Sequence, residues 1–256
     1  MENKNNTFSL KRLFLLGKRQ IISNYSGMLI GFAGFTGIFL IVNLFTVYYN
    51  PGAKLNLEVP FYLILFIVGY VFTSIIFAEV QSPQKSIPFL TLPVSNLERL
   101  VNAWLLTAIL FPILVFLGFA LVIGLVYLIL QVPIPRGTFE FFWSAQVLKA
   151  FILYFITQSV FLFGAMYFRK HNFLKTILSL FVIQSVIGLV AALVGYLLFG
   201  TLNFDGNEIV TNAALSPGLE KFFSETLVDI VKFAFYYLTV PFFLLLTWFG
   251  IKEREV

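Results

Sequence analysis

The residues able to do chemistry in this chain are few, and the ones inside its apolar stretches are uncharged. Gln158 beside Ser159 and Gln184 beside Ser185 each pair an amide with a hydroxyl. Asn43, Thr73, Ser74, Thr107, Thr157 and Thr247 add neutral hydrogen-bonding groups. Such groups either tie helices together, at about 0.6–2 kcal/mol each, or line a path for an amphiphilic molecule. His171 is the single histidine, within Arg169-Lys170-His171, and this is the nearest approach to the Asp, His or Arg cluster of a lipid-modifying enzyme. The chain has no cysteine, which excludes thiolate nucleophiles, disulfides and cysteine metal sites. It contains no G-x-x-x-x-G-K-[ST], no H-E-x-x-H and no G-x-S-x-G. A P-loop phosphate cradle, a zinc hydrolase helix and a nucleophile elbow therefore have no sequence support. No catalytic residue, metal ligand or cofactor site is expected in this chain.

Six long apolar stretches have to position these groups: residues 28–49, 61–78, 103–130, 150–168, 178–199 and 233–251. None carries a charged side chain or a histidine. A hydrocarbon core about 30 Å thick takes roughly 20 apolar residues per helical crossing. The composition, 59% hydrophobic and 11% charged, departs from the roughly 45–50% and about 25% of a soluble domain. The fold class expected is all-α: a polytopic integral membrane protein with six transmembrane helices in one domain over residues 1–256, preceded by a basic amphipathic helix.

The net charge of +5 is distributed by topology. Lys4, Lys11, Arg12, Lys18 and Arg19 precede the first span, and Lys85 and Arg99 lie between the second and third. Arg169, Lys170 and Lys175 lie between the fourth and fifth, and Lys252 and Arg254 follow the sixth. The opposite connectors are net acidic, with Glu58, Glu140, Asp205 and Glu208 among them. The positive-inside bias places both termini in the cytoplasm. Membrane lipid, not nucleic acid, is the expected neighbour, and the inner membrane of a bacterium is the expected location.

Residues 7–25 have helical patterning, with Leu10, Leu13, Phe14, Gly17 and Ile21 on one stripe and Lys11, Arg12, Lys18 and Arg19 on a neighbouring face. Such a helix lies in the headgroup layer with its cations on anionic lipid, or serves as an anchor that only sets topology. Gly27, Gly31 and Gly34 form a small-residue stripe suited to close helix packing, and Gly188 with Ala192 and Ala191 with Gly195 repeat it in the fifth span. Pro112 and Pro241 mark bends. Residues 219–231 read as an outer surface helix.

The connector after the second span carries the most information: EVQSPQKSIPFLTLPVSNLERLVN, residues 79–102, with Pro83, Pro88 and Pro93 dividing it. Ser95-x-x-Glu98 ahead of an apolar run is a capping box that starts the third span. The prolines leave room for one short helix at 84–90.

This connector, together with the charged tail G-I-K-E-R-E-V at 250–256, resembles the permease subunits of ATP-binding-cassette (ABC) exporters of the type-2 class. The resemblance implies a coupling helix at 84–90 that seats in a separate cytoplasmic ATPase. Glu79, Gln84, Lys85, Ser86, Phe89, Glu98 and Arg99 would form that coupling segment, with Lys85, Ser86 and Phe89 as contacts. It further implies a second permease half, in a homodimer or heterodimer, and ATP with magnesium held by the partner ATPase. The function expected on this basis is export of an amphiphilic or hydrophobic substrate from the cytoplasm or membrane. A membrane scaffold or sensor, and a membrane-embedded lipid-modifying enzyme, are the other readings of the same residues.

Overall fold

The computed structural model describes residues 8–50, 55, 57–81, 92–135, 137–199 and 226–253. Six long helices make up nearly all of it: α1 (Leu10–Tyr49), α2 (Glu58–Ile75), α3 (Asn96–Leu130), α4 (Ala145–Tyr167), α5 (Asn172–Phe199) and α6 (Leu227–Glu253). Each contains a segment long and apolar enough to cross a membrane, and no strand occurs among the described residues. The chain is thus an all-helical, membrane-type protein. With no water in the hydrocarbon, each backbone N–H and C=O must pair within its own helix.

Local sequence accounts for the helix ends. The Asn50 N–H bonds to the Thr46 carbonyl and Pro51 follows, which stops α1. Ser144 caps α4 by accepting from the Val147 N–H at 3.3 Å. Gln131 takes a left-handed conformation (φ 55°) and closes α3. His171 does the same (φ 53°) in the turn ahead of α5.

Helices consecutive in the chain run in opposite directions, so α1 packs parallel to α3, and α4 parallel to α2 and α6. At one end of the bundle, Ile76 and Phe77 just past α2 pack with Leu100 and Ala103 of α3, Leu162 and Met166 of α4 and Ile251 of α6. The starts of α1 and α5 meet this same end, so both ends of the described chain lie there. This is the basic end of the bundle, where Arg12, Arg19, Arg169 and Lys170 lie. At the other end, the Phe61 ring is fully buried and packs edge-on against Phe119 at 5.4 Å and Phe141 at 5.4 Å.

The structure changes several sequence expectations. The basic amphipathic segment is no separate helix: residues 10–25 run unbroken into the first span as a helix of 40 residues. At 1.5 Å per residue that is about 60 Å, twice a hydrocarbon core; no proline interrupts it. Gly31, Gly34 and Gly37 have nothing within 4 Å of a Cβ placed on them, so these glycines meet no other helix among the described residues. Gly188 on α5 is equally open. Residues 227–231 belong to α6, which continues from them without a break, so they form no separate surface helix; residues 219–225 lie outside the described residues.

Three spans contain a π-helical turn: Ile64–Val68 in α2, Leu106–Leu110 in α3 and Ala234–Leu238 in α6. In α3 the turn directly precedes Pro112. Proline has no N–H to give the carbonyl one turn back, and the wider turn redistributes the bonds. Pro241 follows the α6 turn in the same way.

Candidate functional site

The connector that the sequence singles out leaves α2 at the short helix Ala78–Gln81 and re-enters at Ser95, and the structure binds both its flanks to α1. Its middle, with Gln84, Lys85, Ser86 and Phe89, lies outside the described residues. The flanks are well defined. Ser95 accepts from the Glu98 N–H at 3.2 Å, and the Glu98 carboxylate accepts from the Ser95 N–H at 2.7 Å, so the capping box forms.

Glu98 does more than cap its own helix. Its other carboxylate oxygen accepts from the Ser9 backbone N–H at 2.6 Å and from Arg12 Nη2 at 3.1 Å. Ser9 is the N-cap of α1. One carboxylate therefore sits at the N-termini of α1 and α3 together, where both helix dipoles favour negative charge. Its side chain has no exposed surface. Burying a carboxylate is costly unless it is fully hydrogen-bonded and paired, and here three donors from the starts of two helices meet it.

A second tie lies two turns further along α1. Arg19 Nη2 stands 3.8 Å from Glu79 Oε2, with both side chains partly exposed. Between the ion pairs, Asn102 Nδ2 donates to Gln20 Oε1 at 2.7 Å and Gln20 Nε2 donates to the Ile76 carbonyl at 3.1 Å. This chain of amides links α3, α1 and the end of α2. Gly17 makes the approach possible, because a Cβ there would lie 2.8 Å from Asn102 Oδ1. Arg99 is buried, and its guanidinium donates to Asn96 Oδ1 at 3.1 Å and to the Leu92 carbonyl at 3.4 Å. It holds the exit of the connector against the first turn of α3.

The structure thus brings Glu79, Glu98 and Arg99 together at one end, with all three engaged inside the protein. Sequence alone names neither Arg12 and Arg19 as the partners of Glu98 and Glu79 nor the link between Gln20 and Asn102. Arg12 and Arg19 stand seven apart, two helical turns on one face, and that spacing was the available signal. Lys11 and Lys18 remain exposed on the other side of the same turns.

Further into the bundle lies a belt of buried neutral polar groups. In the π turn of α3 the Phe111 N–H bonds to the Leu106 carbonyl, bypassing Thr107. The Thr107 carbonyl instead accepts from the Tyr154 hydroxyl at 2.9 Å. Gln158 Nε2 donates to the Thr107 hydroxyl, which in turn donates to the Ala103 carbonyl at 2.8 Å. Tyr70 and Thr157 share a hydrogen bond of 2.6 Å between α2 and α4. Tyr154 lies directly on the α2 backbone: a Cβ on Gly69 would be 2.6 Å from its ring.

Of the four polar residues named for the interior, Gln158 and Ser159 are buried in this belt. Ser159 donates to the Ile156 carbonyl of its own helix at 2.6 Å. Gln184 and Ser185 face outward, with Ser185 bonded to the Phe181 carbonyl at 2.8 Å. Among the described residues no group of three His, Cys, Asp or Glu side chains comes together to hold a metal.

Comparison with family models, with curated proteins and with solved structures finds no match to this chain.

Proposed function

We infer that the chain is the membrane-spanning permease subunit of an ATP-driven exporter of the ABC type-2 class. In this reading it sits in a bacterial inner membrane with the basic end and both termini in the cytoplasm. A separate ATPase, holding ATP and magnesium, docks on the connector at 84–90, and a second permease half completes the pathway. The open glycine face of α1 has no neighbour among the described residues and is free to pack against that half.

The observation that carries the reading is the double latch on the connector. A connector that merely joins two spans has no need of ties on both flanks. This one has Glu79 and Glu98 bound to the same helix, two turns apart. A push on it is handed to α1, α2 and α3 at once, and through Leu100 and Ala103 to α4 and α6. Work done by a partner at the basic end then repacks the bundle between two arrangements instead of bending one loop. The interior belt is neutral, which suits an amphiphilic or hydrophobic substrate better than an ion.

The test is co-purification. The full chain, isolated in mild detergent from its native host, is expected to bring an ABC ATPase with it. Replacing Lys85, Ser86 and Phe89 together with alanine is expected to abolish that retention while the chain still inserts. A clean preparation with no ATPase, from cells in which the chain is functional, overturns the proposal.

A further inference from the structure

The turn between α4 and α5 carries Arg169, Lys170 and His171 at the basic end of the bundle. Asn172 anchors it from within: its side-chain amide donates to the Ser74 carbonyl at 3.1 Å and to the Ala165 carbonyl at 3.3 Å. This fixes the turn against the end of α2 and leaves a hollow of about 470 Å³ between them. The hollow has two chemistries. Arg169 and Lys170 line one side, while Ile75, Ala78 and Leu174, all exposed, line the other.

The charge there is unbalanced. Among the described residues neither Arg169 nor Lys170 forms an ion pair with a carboxylate, and neither does Lys175 in the first turn of α5. Lys175 stands 5.9 Å over the Phe168 ring, which holds its ammonium beside the turn. By contrast, Arg12 and Arg19 at the same end of the bundle are each matched to a glutamate. Arg169 and Lys170 lie in the turn beyond the ends of α4 and α5, while Ile75 is the last residue of α2.

The geometry points to a bound anionic phospholipid: its headgroup phosphate lies among Arg169, Lys170 and Lys175, and its glycerol and first acyl carbons lie against Ile75, Ala78 and Leu174. Basic pockets between spans recognise anionic headgroups in this way, each cation at the surface contributing about 1 kcal/mol. A zwitterionic lipid brings its own cation to the site and gains less. The inference does not depend on any ATPase partner.

The test uses the full chain in mild detergent with an equimolar mixture of phosphatidylglycerol and phosphatidylcholine of matched acyl chains, read by native mass spectrometry. The wild type is expected to retain one phosphatidylglycerol with a preference of about tenfold, allowing for incomplete use of three cations. Arg169→Gln with Lys170→Gln and Lys175→Gln is expected to bring the preference near unity, whereas Lys11→Gln with Lys18→Gln leaves it intact. Ala78→Leu, which fills the apolar wall and keeps every charge, is expected to lower retention several-fold, and it decides the matter should the triple variant fail to fold. Equal retention of both lipids by the wild type overturns the inference. So does an equal loss in the Lys11/Lys18 control, which would mean diffuse surface charge. Displacement of the lipid by millimolar inorganic phosphate overturns the lipid assignment in favour of free phosphate.

Discussion

The Arg12 guanidinium lies 3.1 Å from the Glu98 carboxylate, and the same carboxylate accepts the N–H groups of Ser9 and Ser95. Residues 89 apart in sequence thereby share one buried negative charge between two helix starts. Each backbone N–H at a helix N-terminus lacks a partner within its helix. Here one side chain satisfies such groups on both helices, and the arginine offsets the cost of burying it. The start of the third span cannot move without moving the start of the first.

Glu98→Gln keeps the shape and removes the charge. It is expected to destabilise the protein by about 2–4 kcal/mol, since it leaves Arg12 and two helix starts without their anion. Arg12→Ala should cost less, because Arg12 keeps some solvent access. A double-mutant cycle on thermal unfolding in detergent is expected to return a coupling of at least about 1 kcal/mol; additive losses would show that the pair carries no energy of its own.

Arg19 and Glu79 are the contrasting case. Their separation is 3.8 Å and both side chains are partly exposed. Arg19→Ala is expected to cost less than about 1 kcal/mol and to cost nothing in high salt, which screens such pairs. Measuring both arginine variants at low and high ionic strength separates the two latches: only the Arg19 effect should vanish.

Ser95→Ala removes the hydroxyl that accepts from the Glu98 N–H while sparing the carboxylate network. The expected loss is about 1 kcal/mol, the usual cost of an N-cap. Hydrogen exchange should show it as faster opening confined to the first turn of α3. Protection lost along all of α3 would mean that the cap supports more than its own turn.

Tyr154→Phe deletes the bond to the Thr107 carbonyl and leaves that carbonyl buried beside the π turn. The expected cost is about 0.5–2 kcal/mol. Gly69→Val should cost more, because the added methyls must displace the Tyr154 ring from the α2 backbone. Thermal unfolding of the two variants gives the order, and a Gly69→Val protein as stable as wild type would show that α2 and α4 are not packed this closely.

Gly164 marks a close contact between α4 and α5, where an added Cβ would collide with the Thr176 side chain. Gly164→Val is expected to loosen α5, whose other anchor is Asn172. Hydrogen exchange along α5 should then quicken in the variant and stay slow in a Gly188→Val control, where the space is open.

Much of this was legible in the chain itself. The Ser95-x-x-Glu98 capping box could be read because a cap depends only on residues three apart. The widened turn ahead of Pro112 follows from one missing N–H. The partners of Glu98 could not be read so directly: Ser9 contributes a backbone group, which every residue possesses, and Arg12 is one of five cations before the first span. The role of Tyr154 was hidden as well, since it rests on a carbonyl left free in another helix.

The sequence alone determined that the chain has six segments long and apolar enough to cross a membrane, although the helices that carry them begin earlier, at Leu10, Asn96 and Asn172 among others. Those features are set by segment length and by the demand that every backbone bond be closed within its own helix. Which way each helix faces was decided only by the tertiary structure. The spans are apolar on every side, so their pattern names no inner face. Gln158 and Gln184 look alike in sequence, yet one is bonded to Thr107 in the interior and the other points outward. The close approaches at Gly17, Gly69 and Gly164 set that rotation, and so set which polar groups meet.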